Sequence, residues 1–252
     1  MNYTLLTQGD SLPMVGVLQH LLNRTGLSVV PDGVFGPGTL AAVKDFQQKR
    51  GLKTDGIVGE QTWGRLVASL SLPILDAVDV YDPMFYSGDA KYIRKAGENP
   101  LLIGGTCNGV DQIVNMITAA SRDLFLLRFH GHGAPGVAGV SDGHEDGAPE
   151  RSDISADLRI MNIVARLRPI FGRYGCVEFI QCQTGRGAKG RHLLSLMANR
   201  LGVPVTGAWF DQPFGKRWTF RLYGPTVTCF PPGYNLSSWS KSRPAFAGMT
   251  VN

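Results

Sequence analysis

Apolar residues recur at helical spacing in three short runs near the start of the chain. The runs are Val15, Leu18, Leu21, Leu22, then Ala42, Val43, Phe46, then Trp63, Leu66, Val67. Spacings of three and four residues place each set on one helix face, so three short helices joined by glycine turns predict a small bundle. Further on the pattern changes. Leu101–Ile103, Asp123–Phe129, Cys176–Gln181 and Val203–Ala208 are short apolar runs that read as strands. Between them, Val110–Ala120, Ala156–Phe171 and Arg191–Leu201 carry helical spacing, and 131–151 reads as a long Gly/Asp/Glu loop. Strands alternating with helices predict a mostly parallel sheet covered by helices. Trp218–Phe230 alternates around Gly224-Pro225 and predicts a hairpin. Pro73 and Pro83 flank a plausible boundary, giving a helical domain over 1–70, a linker over 71–82 and an α/β domain over 83–252.

The helical segment contains an internal repeat. Asp32-Gly33-Val34-Phe35-Gly36 followed by Thr39 is echoed, 23 residues on, by Asp55-Gly56-Ile57-Val58-Gly59 followed by Thr62. Asp-Gly favours a tight turn because glycine tolerates positive φ, and each Thr stands near the start of the next helical run.

On these residues, Leu5 to Leu66 resembles the three-helix peptidoglycan-binding domain of bacterial wall hydrolases. The match includes Gln8-Gly9-Asp10, Val15, Leu18-Gln19, Leu22, both repeat copies, Ala42-Val43, Phe46-Gln47 and Thr62-Trp63. The resemblance implies peptidoglycan as a partner. Asp32, Phe35 and Trp63 are its candidate contacts, since an aromatic face stacks on sugars and Asp accepts amide hydrogens. Most positions of the motif, these included, also suit a core or a turn.

Composition changes this picture little. The 252 residues are 43% hydrophobic and 18% charged, an ordinary globular balance that argues against disorder. A net charge of +5 without a Lys/Arg run suits an anionic wall and gives no reason to expect a nucleic-acid partner. No apolar stretch is long enough to span a bilayer. MNYTLLTQGD has no basic segment followed by an apolar one, so no secretory leader is expected; the protein would be made in the cytoplasm and reach the wall by specialised secretion or lysis. Cys107, Cys176, Cys182 and Cys229 show no CxxC pairing, which excludes a zinc ribbon and gives no disulfide framework.

The candidate chemistry lies where two predicted strands end. The strand from Cys176 closes on Cys182, then turns through Thr184-Gly185-Arg186-Gly187 into a helical run. The strand from Asp123 delivers His130 and His132 into a glycine-rich loop. Ligands of open α/β sheets bind outside the carboxyl ends of the strands. A cysteine and a histidine on separate strand ends form a nucleophile–base arrangement for acyl transfer. A buried structural cysteine is the competing reading of Cys182.

Here too the residues carry a resemblance. An apolar strand leading into His-Gly, and a later one ending in Cys, resemble the caspase-like cysteine peptidases of clan CD. Gly109-Val110-Asp111-Gln112-Ile113, His132-Gly133, Pro135-Gly136, Cys182, Gly185, Gly190 and Leu201-Gly202-Val203-Pro204-Val205 look most like a caspase-like domain of bacterial surface proteins. The resemblance implies a caspase-like α/β fold, Cys182 as nucleophile, His132 as base and the Gly133 N–H as oxyanion donor, with no cofactor. Both His130 and His132 fit the bare His-Gly pattern; the loop after His132 suits it better, and His130 is the alternative. Asp142, Glu145, Asp146 and Asp211 are candidates to shape a pocket for a basic side chain, or an acidic solvated loop. The substrate would be a peptide of the wall or a wall-located protein, with a secretion partner or cognate inhibitor possible for such an effector.

Two other readings compete. His130, His132, Asp142, His144 and Glu145 could hold zinc for a metallopeptidase, although their spacing matches no HExxH motif and Cys182 would have no role. Alternatively the second domain is idle and the protein is a wall-binding adaptor.

Overall fold

The computed structural model describes residues 2–80, 86–104, 109–140, 153–213 and 215–247, with backbone alone at 86, 87, 216 and 217. The chain forms two compact units, Met1–Leu72 with Tyr234–Asn252, and Pro73–Gly233.

In the first unit, α1 (Pro13–Arg24), α2 (Pro37–Lys49) and α3 (Glu60–Leu66) form at the predicted runs. Proline in the first turn of α1 and α2 fits a position whose N–H would have no helical acceptor. The repeat has a physical cause in two buried glutamines. Gln19 of α1 donates through Nε2 to Asp32 Oδ1, Val34 O and Thr39 Oγ1, and accepts from Gly33 N–H. Gln47 of α2 makes the matching set with Asp55 Oδ1, Ile57 O, Thr62 Oγ1 and Gly56 N–H. Each glutamine satisfies the polar groups of one Asp-Gly turn from inside, so the turn can sit on the helices without orphaned backbone groups. The last helix of the chain, α8 (Leu236–Ser242), belongs to this unit. His20 Nε2 lies 2.8 Å from Ser240 O, and Gly16 lies so close to Ser240 that a Cβ there would meet its Oγ.

The second unit carries a six-stranded sheet in the order β2-β1-β3-β7-β8-β9. Its strands are β1 (Ile74–Asp79), β2 (Leu101–Ile103), β3 (Leu124–His130), β7 (Phe171–Ile180), β8 (Val205–Ala208) and β9 (Thr226–Cys229). All neighbours are parallel except β9, which runs antiparallel to β8. After β3 the chain makes a small antiparallel sheet from β4 (Gly133–Ala134), β5 (Val137–Gly139) and β6 (Asp153–Ser155). Helices α4 (Lys91–Lys95), α5 (Val110–Ala120), α6 (Leu158–Val164) and α7 (Gly187–Leu201) complete the alternation. One face of the sheet packs an apolar core in which Phe129 and Phe179 stack at 5.3 Å beside Ile113, Ile117, Leu193 and Met197.

Several expectations are corrected. The segment expected as a linker over 71–82 contains β1, which lies inside the sheet; Asp76 and Asp79 within it are buried and mask its strand character in the sequence. Trp218–Phe230 is not a hairpin: a 3-10 turn over Lys216–Phe220 precedes β9, whose partner is β8. The second unit ends at Gly233, short of the expected 252, because Trp239 and Ser240 are buried in the first. The predicted helix over 156–171 is α6 followed by a 3-10 turn through Pro169, which has no N–H to continue it. Among the described residues no helix is long and apolar enough to cross a membrane.

Candidate active site and wall-binding surface

Strands β3 and β7 are adjacent and parallel, with His130 in register with Ile180. His132 and Cys182 each follow two residues later, so both emerge at the same edge of the sheet, at its carboxyl end. His132 is exposed and Cys182 half-buried. The two loops are fastened together. Gln181 Nε2 donates to Gly139 O at 2.7 Å, and Gly139 N–H donates to His132 O at 2.9 Å. Gly133 passes so near that a β-carbon there would stand 2.6 Å from Cys182 O and 2.9 Å from Thr184 Oγ1. Only glycine permits that approach.

The cysteine turn is held from its other side as well. Gln212 N–H donates to Cys182 Sγ at 3.3 Å. The Gln212 side chain is clamped to the backbone of Tyr223 by its Oε1 (2.7 Å from Tyr223 N) and its Nε2 (3.0 Å from Tyr223 O). Gln183 adopts φ of 55° and bonds through its side chain to Asp211 Oδ1 and Arg186. A left-handed non-glycine residue persists where its surroundings over-determine it, and such residues cluster at functional sites. Asp211 thus stands beside the cysteine turn, exposed and tied to it.

His130 occupies a different environment. It is fully buried, with Nδ1 3.1 Å from Asp89 Oδ2 and Nε2 3.0 Å from Asp76 Oδ1. Burial pulls its pKa down, but the hydrogen bonds and charges of Asp76 and Asp89 outweigh this and raise it to about 9. Both ring nitrogens are committed, which removes His130 as an alternative base. Asp76 also takes Arg128, whose Nε reaches Glu178 Oε2 at 3.1 Å. Asp89 accepts further from Gly215 N–H and Thr219 Oγ1. Asp76, Arg128, Glu178, Thr206 and Thr228 lie in one register row across five neighbouring strands. Its three charged members, Asp76, Arg128 and Glu178, are buried.

Asp142, His144, Glu145 and Asp146 lie outside the described residues, as does Cys107. Among the described residues no three of His, Cys, Asp and Glu converge as metal ligands. Cys176 is buried against Phe125 O, and burial, with the charge of Glu178, pushes its thiol well above the usual range.

The wall-contact candidates of the first unit take the core and turn positions that were the other reading of them. Trp63 is fully buried, donates from Nε1 to Thr4 O and stacks on Tyr3; Phe35 is 1% exposed. Neither presents a ring to a ligand, because both are packed inside the bundle. Asp32 is half-buried and spent on Gln19 and Val34 N–H. A groove of about 580 Å³, unforeseen from the sequence, runs instead between the end of α2 and α3, lined by Gly51, Leu52, Gln61, Gly64, Arg65 and Ala68. Gln181 and Gln212 likewise went unread; glutamine beside a strand end has no signature of its own. The buried row had one, since Asp76, Arg128 and Glu178 are charges inside otherwise apolar runs.

Residues 11–66 match the family described as "Putative peptidoglycan binding domain". A curated protein of Kitasatospora aureofaciens, named "Uncharacterized protein in bpoA1 3'region", is 50% identical over 64 residues, which make up 25% of this chain and 54% of that protein. The match therefore spans about half the length of this relative. The helical segment at the start of the chain thus matches a peptidoglycan-binding domain, as the resemblance of its motifs implied.

Proposed function

We propose that the protein is a wall-targeted cysteine hydrolase in which the first unit binds peptidoglycan and the second cuts an amide bond. The observation that carries the catalytic half is the emergence of His132 and Cys182 from adjacent parallel strands, joined through Gln181 and Gly139. The strand order β2-β1-β3-β7-β8-β9, with its lone antiparallel edge strand, supports the caspase-like reading. So does the small sheet after β3.

In this reading the Cys182 sulfur attacks the scissile carbonyl and the Gly133 N–H donates to the oxyanion. His132 passes a proton to the departing nitrogen, which leaves a thioester on Cys182 and a free amine. Water then attacks the thioester, the carboxylic acid departs and the thiol returns. Glycosidic bonds would call for a pair of carboxylates at defined separation. Domain tethering favours a substrate already in the wall, because the partner domain is held at high local concentration. Digestion of purified sacculi tests this. New free amines with unchanged reducing ends support an amide cut in the stem peptides, new reducing ends contradict it, and no change in either moves the substrate to a wall-located protein.

A further inference from the structure

The groove on the first unit carries one cation and one side-chain amide, Arg65 and Gln61. Gln61, Gly64 and Arg65 are spaced along one side of α3, with Ala68 just beyond its end, and Thr62, Trp63 and Leu66 on the helix are buried. Gly51 and Leu52 form the facing wall. Gln61 and Arg65 are exposed, and among the described residues neither side chain has a hydrogen-bond or ion-pair partner. The neighbouring cations differ in this: Lys49 is paired with Asp45 and Lys53 with Asp55.

The internal repeat separates what the fold needs from what the groove adds. The Asp, Gly and Thr anchored by the buried glutamines recur in both copies. At the groove positions the copies diverge, since Gln61, Gly64 and Arg65 stand where the first copy has Gly38, Ala41 and Ala42. Packing alone does not require an amide and a guanidinium there. Gly64 points the same way. A glycine inside a helix costs about 1 kcal/mol against alanine, and this one lines the groove.

We propose that this groove binds the stem peptide of peptidoglycan, with the Arg65 guanidinium on a peptide carboxylate, Gln61 on a backbone amide, and Leu52 and Ala68 against small side chains. Guanidinium matches a carboxylate through two parallel donors. A glycan would want an aromatic platform, and the groove offers none, while Phe35 and Trp63 are spent in the core. The proposal rests on the wall-binding reading and names the part of the wall that is bound.

The test uses the full chain carrying Cys182→Ala, titrated with a synthetic tetrapeptide stem that has free carboxylates and with its amidated form. The free-carboxylate peptide should bind, amidation or Arg65→Ala should weaken binding at least about tenfold, and Arg65→Lys should recover part of it. Gly64→Ala, which favours the helix, should also weaken binding by adding a methyl group to the groove lining. Equal binding of the two peptides, unchanged binding by Arg65→Ala and Gly64→Ala, or competition by a chitooligosaccharide alone would each overturn the assignment. Pelleting with sacculi separates the two levels. If the unsubstituted chain pellets and both variants pellet equally, the groove is wrong and wall binding stands; if the unsubstituted chain stays in solution, both fall.

Discussion

The two units solve the same problem, a polar group inside a fold, with opposite chemistry. The first anchors its turns with neutral glutamines, Gln19 and Gln47, each serving a loop fewer than about two dozen residues away. The second buries Asp76, Asp89, Arg128, His130 and Glu178 together, drawn from segments 41 to 54 residues apart. A neutral anchor is worth about 1 kcal/mol per hydrogen bond. A buried charge is harmless when satisfied and costly when orphaned. The first unit should therefore yield gradually to substitution, and the second abruptly.

The largest effects are expected at the sheet edge. His132→Ala should slow hydrolysis about 10²–10⁴-fold, the range of a general acid–base group, with thermal unfolding unchanged because His132 is exposed. Gly133→Ala should do comparable harm by pushing the loop off Cys182 O. A His132→Ala enzyme at full rate would detach the histidine from the chemistry.

Next come the buried charges. Arg128→Met leaves Asp76 and Glu178 facing each other across β3 and should cost about 3–5 kcal/mol, seen by hydrogen exchange in residues 73–233 and not in 1–72. Loss of protection in both units together would mean that the two units do not respond separately. The His130 pairing with Asp76 and Asp89 predicts a pH response. His130 holds its proton in the folded state to about 9, against 6.5 ordinarily, so its contribution is complete below pH 6.5 and fades as pH rises through 9. Unfolding midpoints of the second unit should fall across that window by an amount equivalent to at most about 3 kcal/mol. A flat profile from pH 6.5 to 9 would mean His130 is neutral.

Gln47→Ala sharpens the other side of the comparison. It orphans the Gly56 N–H and should cost the first unit about 2 kcal/mol, without moving the second. Smallest of all is Cys176→Ala, a buried thiol remote from the loops, expected to cost about 1 kcal/mol and to leave the hydrolytic rate alone.

How much of this the sequence disclosed follows the same division. The repeat was legible because its anchors act locally, and so were α1 to α3 and the strand ends at Cys182 and His132. The strand β1 was not, since Asp76 and Asp79 break an apolar run that would otherwise read as buried. Nor was the return of α8 to the first unit, which depends on a contact of Ser240 with Gly16 and His20 more than 200 residues away. Between His130 and His132 the loop after His132 already favoured the latter; the burial of His130 between Asp76 and Asp89 shows only in three dimensions. Phe35 and Trp63 take the core reading that the sequence offered beside the ligand-contact one.

The most direct test of the central claim is a digest of purified sacculi by the unsubstituted chain and by Cys182→Ala in parallel, read by mass spectrometry of the released muropeptides. The account predicts new peptide fragments with the unsubstituted chain and none with Cys182→Ala, while both proteins pellet equally with the wall. The same fragments from both would show that the cut does not depend on this sulfur, and would contradict it.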